Sequence, residues 1–218
     1  MKTYKFSLIV LFLVTLGLHL YQLEKIPPGL SNDEANIGYE AWSIATTGKD
    51  QWGRSWPITF EGFGNWSLPV YIYLTAPLIR LFGQTAFAVR LLSAVSGVTI
   101  VVLTYLTVRR LRPQSRLVAF AASTLVATTP WIVGLTRTAT EAPLATAFFM
   151  ASLYLFLIAN KRFGLLLSSG FLTLASVFTY YGMWVFVSIC WVSLWWFSRK
   201  QSAVSSKLLV IIGVIGGI

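Results

Sequence analysis

The amino-acid sequence predicts an all-α integral membrane protein, a helical bundle of about six or seven spans with one long outer loop. Composition is the first reason: 56% of residues are hydrophobic and 11% charged, whereas a soluble domain carries roughly 25% charged residues. The second is length. Apolar runs able to cross a bilayer occur at 6–23, 85–108, 117–135, 142–159, 163–180 and 183–198, each near the roughly 20 residues a span requires. Charge placement is the third, because the basic residues fall in short clusters between those runs.

The first run, FSLIVLFLVTLGLHLYQL, has no small-residue cleavage site and reads as a retained anchor. His19, near its far end, reads as a packed or interfacial residue. With the N-terminus cytoplasmic, Lys2, Lys5, Arg109, Arg110, Arg112, Arg116, Lys161, Arg162, Arg199, Lys200 and Lys207 all fall inside, eleven of seventeen basic residues. That is the positive-inside pattern, with anionic lipid headgroups as the partner. A net charge of +10 could point to nucleic acid, but no basic patch forms, so nucleic acid is excluded. Cys190 is the single cysteine, which rules out a disulfide framework or a cysteine metal site within the chain.

The same orientation puts residues 24–84 outside, where six of the seven acids lie. A loop of this length has a function beyond connection. In PPGLSNDEANIGYEAW a helix is expected from Asp33 to about Thr47, with Ser31 or Asn32 as N-cap and two acids in the first turn. Asp33, Asn36 and Glu40 are expected on a polar face, and Ala35, Tyr39 and Trp42 on an apolar one. GKDQWGRSWP breaks that helix. LPVYIYLTAPLIRLFG follows as an interfacial helix, rich in the aromatic residues that suit the headgroup level. Asn65-Trp66-Ser67 matches a glycosylation sequon.

After Lys207 only eleven apolar or glycine residues remain. At about 1.5 Å each they fall short of a hydrocarbon core of about 30 Å. The chain is therefore expected to stop inside a seventh span, residues 1–218 forming the N-terminal part of one transmembrane domain.

The seventh acid, Glu141, sits in the outer connection TRTATEAP. Thr140 could cap the next span there, and Arg137 could simply pair with Glu141. Asp33, Glu34 and Glu141 nevertheless share one membrane face, each at a helix start, and carboxylates at that depth are costly unless paired or functional. Such a site suits transfer from a lipid-phosphate donor, whose reactive carbon lies at headgroup level. A carboxylate base takes the proton of an acceptor hydroxyl, and the departing phosphate needs a cation, either an arginine or a carboxylate-bound metal. A hard divalent ion, Mg or Mn, held by Asp33 and Glu141 fits that chemistry. Arg54, Arg80, Arg90 and Arg137 lie on the side where basic residues are least expected. They are either phosphate contacts or snorkelling anchors.

The run PPGLSNDEANIGYEAWSIATTGKDQWG after a single span resembles the first outer loop of polytopic glycosyltransferases of the GT-C fold. These include protein O-mannosyltransferases (glycosyltransferase family 39) and bacterial aminoarabinose transferases of lipid A. The resemblance implies an inverting plasma-membrane transferase acting on its extracytoplasmic face. It would use a polyprenyl-phosphate sugar donor and a protein, lipid or glycan acceptor. It implies Asp33 as base, Glu34 beside it, and Arg137 with Glu141 as the acidic and basic pair of LTRTATEAPLATAFF. Arg54, Arg80, Tyr39 and Trp42 join the site as candidate substrate or phosphate contacts. Two other classes stay open. A transporter or channel segment would carry charges at mid-membrane, but the later spans hold no acid away from their ends. A non-catalytic membrane subunit would use the acids only as helix caps.

Overall fold

The computed structural model describes residues 2–62, 64–160 and 162–200. Among these it has nine helices and one hairpin: α1 (Lys2–Leu20), α2 (Asn32–Thr47), β1 (Phe60–Gly62), β2 (Asn65–Ser67), α3 (Pro69–Phe82), α4 (Ala86–Leu111), α5 (Arg116–Thr128), α6 (Pro130–Thr136), α7 (Glu141–Ile158), α8 (Phe163–Val177) and α9 (Gly182–Lys200). Each apolar run read from the sequence is helical to within a few residues. The segment expected at 117–135 is not one helix, because α5 and α6 meet at 59°. The break falls at Thr129–Pro130, where the proline has no N–H to continue the ladder and its ring clashes with the preceding turn.

By length and apolarity, α4 and α7 can each cross a membrane, and the bent α5–α6 pair makes a third. The apolar parts of α1, α8 and α9 among the described residues are shorter. On this criterion two or three of the expected six or seven spans are found among the described residues, and the run from Lys207 lies outside them.

Small residues set the contacts inside the bundle. Gly97 of α4 is packed so closely that an added Cβ would lie 2.3 Å from His19 Cδ2 of α1 and 2.8 Å from Thr136 Cγ2 of α6. His19 is the packed residue the sequence suggested, its Nδ1–H donating to Thr15 O at 2.9 Å. Between α7 and α8, Ser152, Ser169 and Thr173 join through hydroxyls, with Ser152 Oγ 2.7 Å from Thr173 Oγ1 and Ser169 Oγ donating to Ser152 O at 2.9 Å. Small polar residues of this kind let helix backbones approach in an apolar medium.

The long loop folds back on the bundle. Ile37, Ala41 and Ile44 of α2 pack with Tyr71, Ile72 and Ile79 of α3, Ala88 and Val89 of α4, and Phe60 of β1. The spacing i, i+4, i+7 puts these α2 residues on one stripe. This corrects the expected faces: Tyr39 and Trp42 are 46% and 37% exposed, whereas Glu40 is fully buried beside the stripe. Two apolar stripes competed in the sequence, and the smaller, β-branched one fits against α3 and α4. The hairpin was not foreseen. Its antiparallel register is Phe60↔Ser67, Glu61↔Trp66 and Gly62↔Asn65, and Gly62 is needed because a Cβ there would fall 2.3 Å from Asn36 Oδ1.

Candidate active site

The start of α2 is built locally. Ser31 is the N-cap, receiving Glu34 N–H on its Oγ at 3.3 Å, while Ser31 N–H donates to Glu34 Oε2 at 2.9 Å. This capping box satisfies two otherwise orphaned amides. It uses one acceptor position of the Glu34 carboxylate. The tertiary fold takes the others: Arg90 Nε donates to Oε1 at 2.7 Å, Arg90 Nη2 to Oε2 at 3.2 Å, and Ala139 N–H to Oε1 at 3.0 Å.

Arg90 is equally committed. Its Nη1 donates to Leu23 O at 3.1 Å and Pro27 O at 2.9 Å, and its Nη2 also donates to Gly29 O. All five guanidinium N–H groups thus have acceptors. The side chains are 0% exposed for Arg90 and 2% for Glu34. One ion pair therefore fastens the linker before α2, the start of α2, the body of α4 and the turn before α7. Burial by itself would raise the Glu34 pKa, but the bonds from Arg90, Ser31 and Ala139 outweigh it and hold the carboxyl below its ordinary value.

Glu34 has no acceptor position left for a substrate or a metal, so its role is to position. Asp33 differs. It is exposed, and among the described residues its carboxylate has no hydrogen bond or ion pair. Lying four residues before Ile37, it stands at the open end of the buried stripe. There it is within electrostatic reach of Glu141. Glu141 opens α7 half-buried, with no side-chain cap from Thr140. Beneath them Tyr71 is buried and donates to Val89 O at 3.2 Å. Its phenol is pushed well above the ordinary range, first by burial and then by the charges of Glu141 and Glu34.

The other expected site residues are elsewhere. Arg137 forms no ion pair with the acids among the described residues. Its Nη1 donates to Leu18 O at 2.7 Å, and its Nη2 to Tyr21 O at 2.7 Å and Ile26 O at 2.9 Å. These carbonyls at and beyond the end of α1 carry partial negative charge that a cation satisfies. Arg54 pairs with Asp50 at 2.7 Å and Glu61 at 3.3 Å and lies over the Trp66 ring, so it braces the hairpin. Arg80 is exposed in the last turn of α3. Tyr39 and Trp42 pair at 5.7 Å on the exposed flank of α2, away from the Glu34–Arg90 side. The residue whose importance the sequence understated is Arg90. An arginine inside an apolar helix requires a buried partner, and that was the available signal.

No group of three or more His, Cys, Asp or Glu able to hold a metal occurs among the described residues. Asp33 and Glu141 lie within electrostatic reach of each other, neither in an ion pair among the described residues. Carboxylates are the donor type that a hard divalent ion takes.

The sequence profile of the dolichyl-phosphate-mannose-protein mannosyltransferases matches residues 67–217, beginning after Asp33 and Glu34. No curated protein matches the chain by sequence. Among solved structures, the fold is similar to the archaeal oligosaccharyltransferase AglB from Archaeoglobus fulgidus in complex with an inhibitory peptide and a dolichol-phosphate, at TM-score 0.70 and 15% identity. It is also similar to the Archaeoglobus fulgidus oligosaccharyltransferase tethered with an acceptor peptide, at TM-score 0.68 and 16% identity. The likeness covers 98% of this chain and 28% of each of those chains, and it is a likeness of fold.

Proposed function

Because this chain belongs to the dolichyl-phosphate-mannose-protein mannosyltransferase family, a family of GT-C glycosyltransferases, we propose that it works in transfer of a sugar from a polyprenyl-phosphate carrier to an acceptor hydroxyl. The reaction takes place at the outer face of a cell membrane. The observation that carries this reading is Asp33: an exposed carboxylate, unpartnered among the described residues, beside a Glu34 that is fully bonded.

In the transfer, Asp33 accepts the proton of the acceptor hydroxyl while its oxygen attacks the anomeric carbon. The carbon–oxygen bond to phosphate breaks, its electron pair leaving with the phosphate, and the configuration inverts. The Arg90–Glu34 ion pair keeps the α2 start against the 137–141 turn, so Asp33 and Glu141 stay together without either being consumed in a salt bridge. Glu141 orients the acceptor or would, with Asp33, hold a divalent ion such as Mg or Mn, which if bound would supply charge for the leaving phosphate. Acceptors are the hydroxyls of proteins, lipids or glycans. Family membership leaves the transporter or channel reading without support. Ser31 is the N-cap, with Asp33 and Glu34 both in the first turn of α2, so the Asp33 substitutions below separate a catalytic role from a purely helix-stabilising one.

The test is Asp33→Asn in the full-length protein. General-base removal is expected to lower transfer by about 10²- to 10⁴-fold with the thermal unfolding profile unchanged. Asp33→Ser should behave the same way. Normal transfer by either folded variant overturns the assignment.

A further inference from the structure

A groove of about 360 Å³ lies between the C-terminal half of α2 and α3, with Ile44, Ala76, Pro77, Trp56, Tyr73 and Arg80 in its lining. Its volume is that of a ligand site. Trp56 stacks on Tyr73 at 5.8 Å and 14°, and Tyr73 Oη is fixed by donating to Pro57 O at 2.8 Å, so one wall is rigid.

The surface around it is apolar. α3 turns Tyr71, Ile72, Thr75, Ala76 and Ile79 inward, while Leu74, Pro77 and Leu81 recur at helical spacing on its exposed side. Leu81, Phe82, Trp56 and Ile58 are 74%, 48%, 67% and 82% exposed. A contiguous apolar face of this kind marks a lipid or protein contact. Set into it is Arg80, and among the described residues the ion pairs are Arg54–Asp50, Arg54–Glu61 and Arg90–Glu34, none of them involving Arg80. An exposed guanidinium at the rim of an apolar groove offers a site for an anion, and a ligand reaching it there must also fill the groove.

We propose that this groove binds one anionic phospholipid, its phosphate on Arg80 and an acyl chain against Ile44, Ala76 and Pro77. A free phosphate would meet the charge but leave the apolar walls wet. The carrier phosphate of the transfer reaction would need to lie near Asp33. The groove begins at Ile44, eleven residues along α2 from it, about 16 Å at the rise of a helix. The occupant is therefore a bilayer lipid held apart from the reacting centre, and the site stands independently of the transferase reading.

The experiment uses the full-length protein in nanodiscs of phosphatidylcholine containing a minority of phosphatidylglycerol, purified into detergent, with retained lipid measured by native mass spectrometry. Wild type should retain phosphatidylglycerol in preference to phosphatidylcholine. Arg80→Gln should lower that retention by about fivefold, and Arg80→Lys should restore part of it. Thr46→Trp, which blocks the groove and leaves Arg80 in place, should also lower it, and it keeps the test decisive if Arg80→Gln fails to fold. Equal retention of the two lipids by wild type, or wild-type retention by folded Arg80→Gln and Thr46→Trp, overturns the proposal. So does stoichiometric displacement of phosphatidylglycerol by polyprenyl phosphate, which would make the groove part of the carrier site.

Discussion

Replacing Glu34 by glutamine isolates the contribution of the buried ion pair. The substitution keeps the shape of the side chain and removes its charge. Wild-type Glu34 receives four N–H donors, two of them from Arg90. In Glu34→Gln the amide oxygen can keep two of these, Arg90 Nε and Ala139 N–H, at the Oε1 position. The amide nitrogen would then face Ser31 N–H and Arg90 Nη2, donors against a donor. Arg90, fully buried, is left without its countercharge. Breaking a buried pair by removing one partner costs about 3–5 kcal/mol. For a chain of this size each kcal/mol lowers Tm by about 2–4 °C, so the variant should unfold about 6–20 °C below wild type. Arg90→Met removes the other partner and also strands the carbonyls of Leu23, Pro27 and Gly29, so its loss should be at least as large. The double variant should lose less than the sum of the two, since neither charge then remains unpaired. Thermal unfolding of the full-length protein in detergent, followed by circular dichroism, measures all three. A shift below about 2 °C for Glu34→Gln, or strict additivity in the double variant, refutes the reasoning.

The same carboxylate sets a pH dependence: its folded pKa lies below its ordinary value of 4.5, so its stabilisation is present above that pH and is lost as pH falls through the folded value. The unfolding temperature of wild type should therefore drop on acidification more than that of Glu34→Gln. Glu40 has the opposite sign. Burial, then Asp50, pushes its carboxyl up, its Oε2 accepts from Gln51 N–H at 3.1 Å and its buried Oε1 has no partner among the described residues. Its favourable protonated form is complete below 4.5 and is lost as pH rises through the raised value, so Glu40→Gln should melt above wild type at pH 8 and converge with it at pH 4. Gly62→Ala places a Cβ 2.3 Å from Asn36 Oδ1, and overpacking of that kind costs about 1–3 kcal/mol. Adding Asn36→Ala should recover most of it, and an unchanged melting curve for Gly62→Ala would show that the Asn36 side chain yields without cost.

The sequence alone determined most of the helices, because hydropathy and capping act over a few residues. The apolar runs became α1, α4, α7, α8 and α9. The α2 start at Ser31 or Asn32, with two acids in its first turn, and the turn chemistry after Thr47 could be read directly. The break at Pro130 and the 60–67 hairpin were also local, but their signals were short beside the apolar run and the glycine-rich loop that contained them. Which stripe of α2 faces inward, and which arginine meets which acceptor, only the tertiary structure decided. Arg54, Arg80, Arg90 and Arg137 were all read from the sequence as phosphate contacts or anchors, and nothing local names the acceptor of each. Arg90 reaches Glu34 across 56 residues and Arg137 reaches Leu18 O across 119. A guanidinium accepts any well-placed oxygen, so its partner is chosen by the packing that excludes water around it, and that packing arises only once α1, α2, α4 and the turn before α7 have come together.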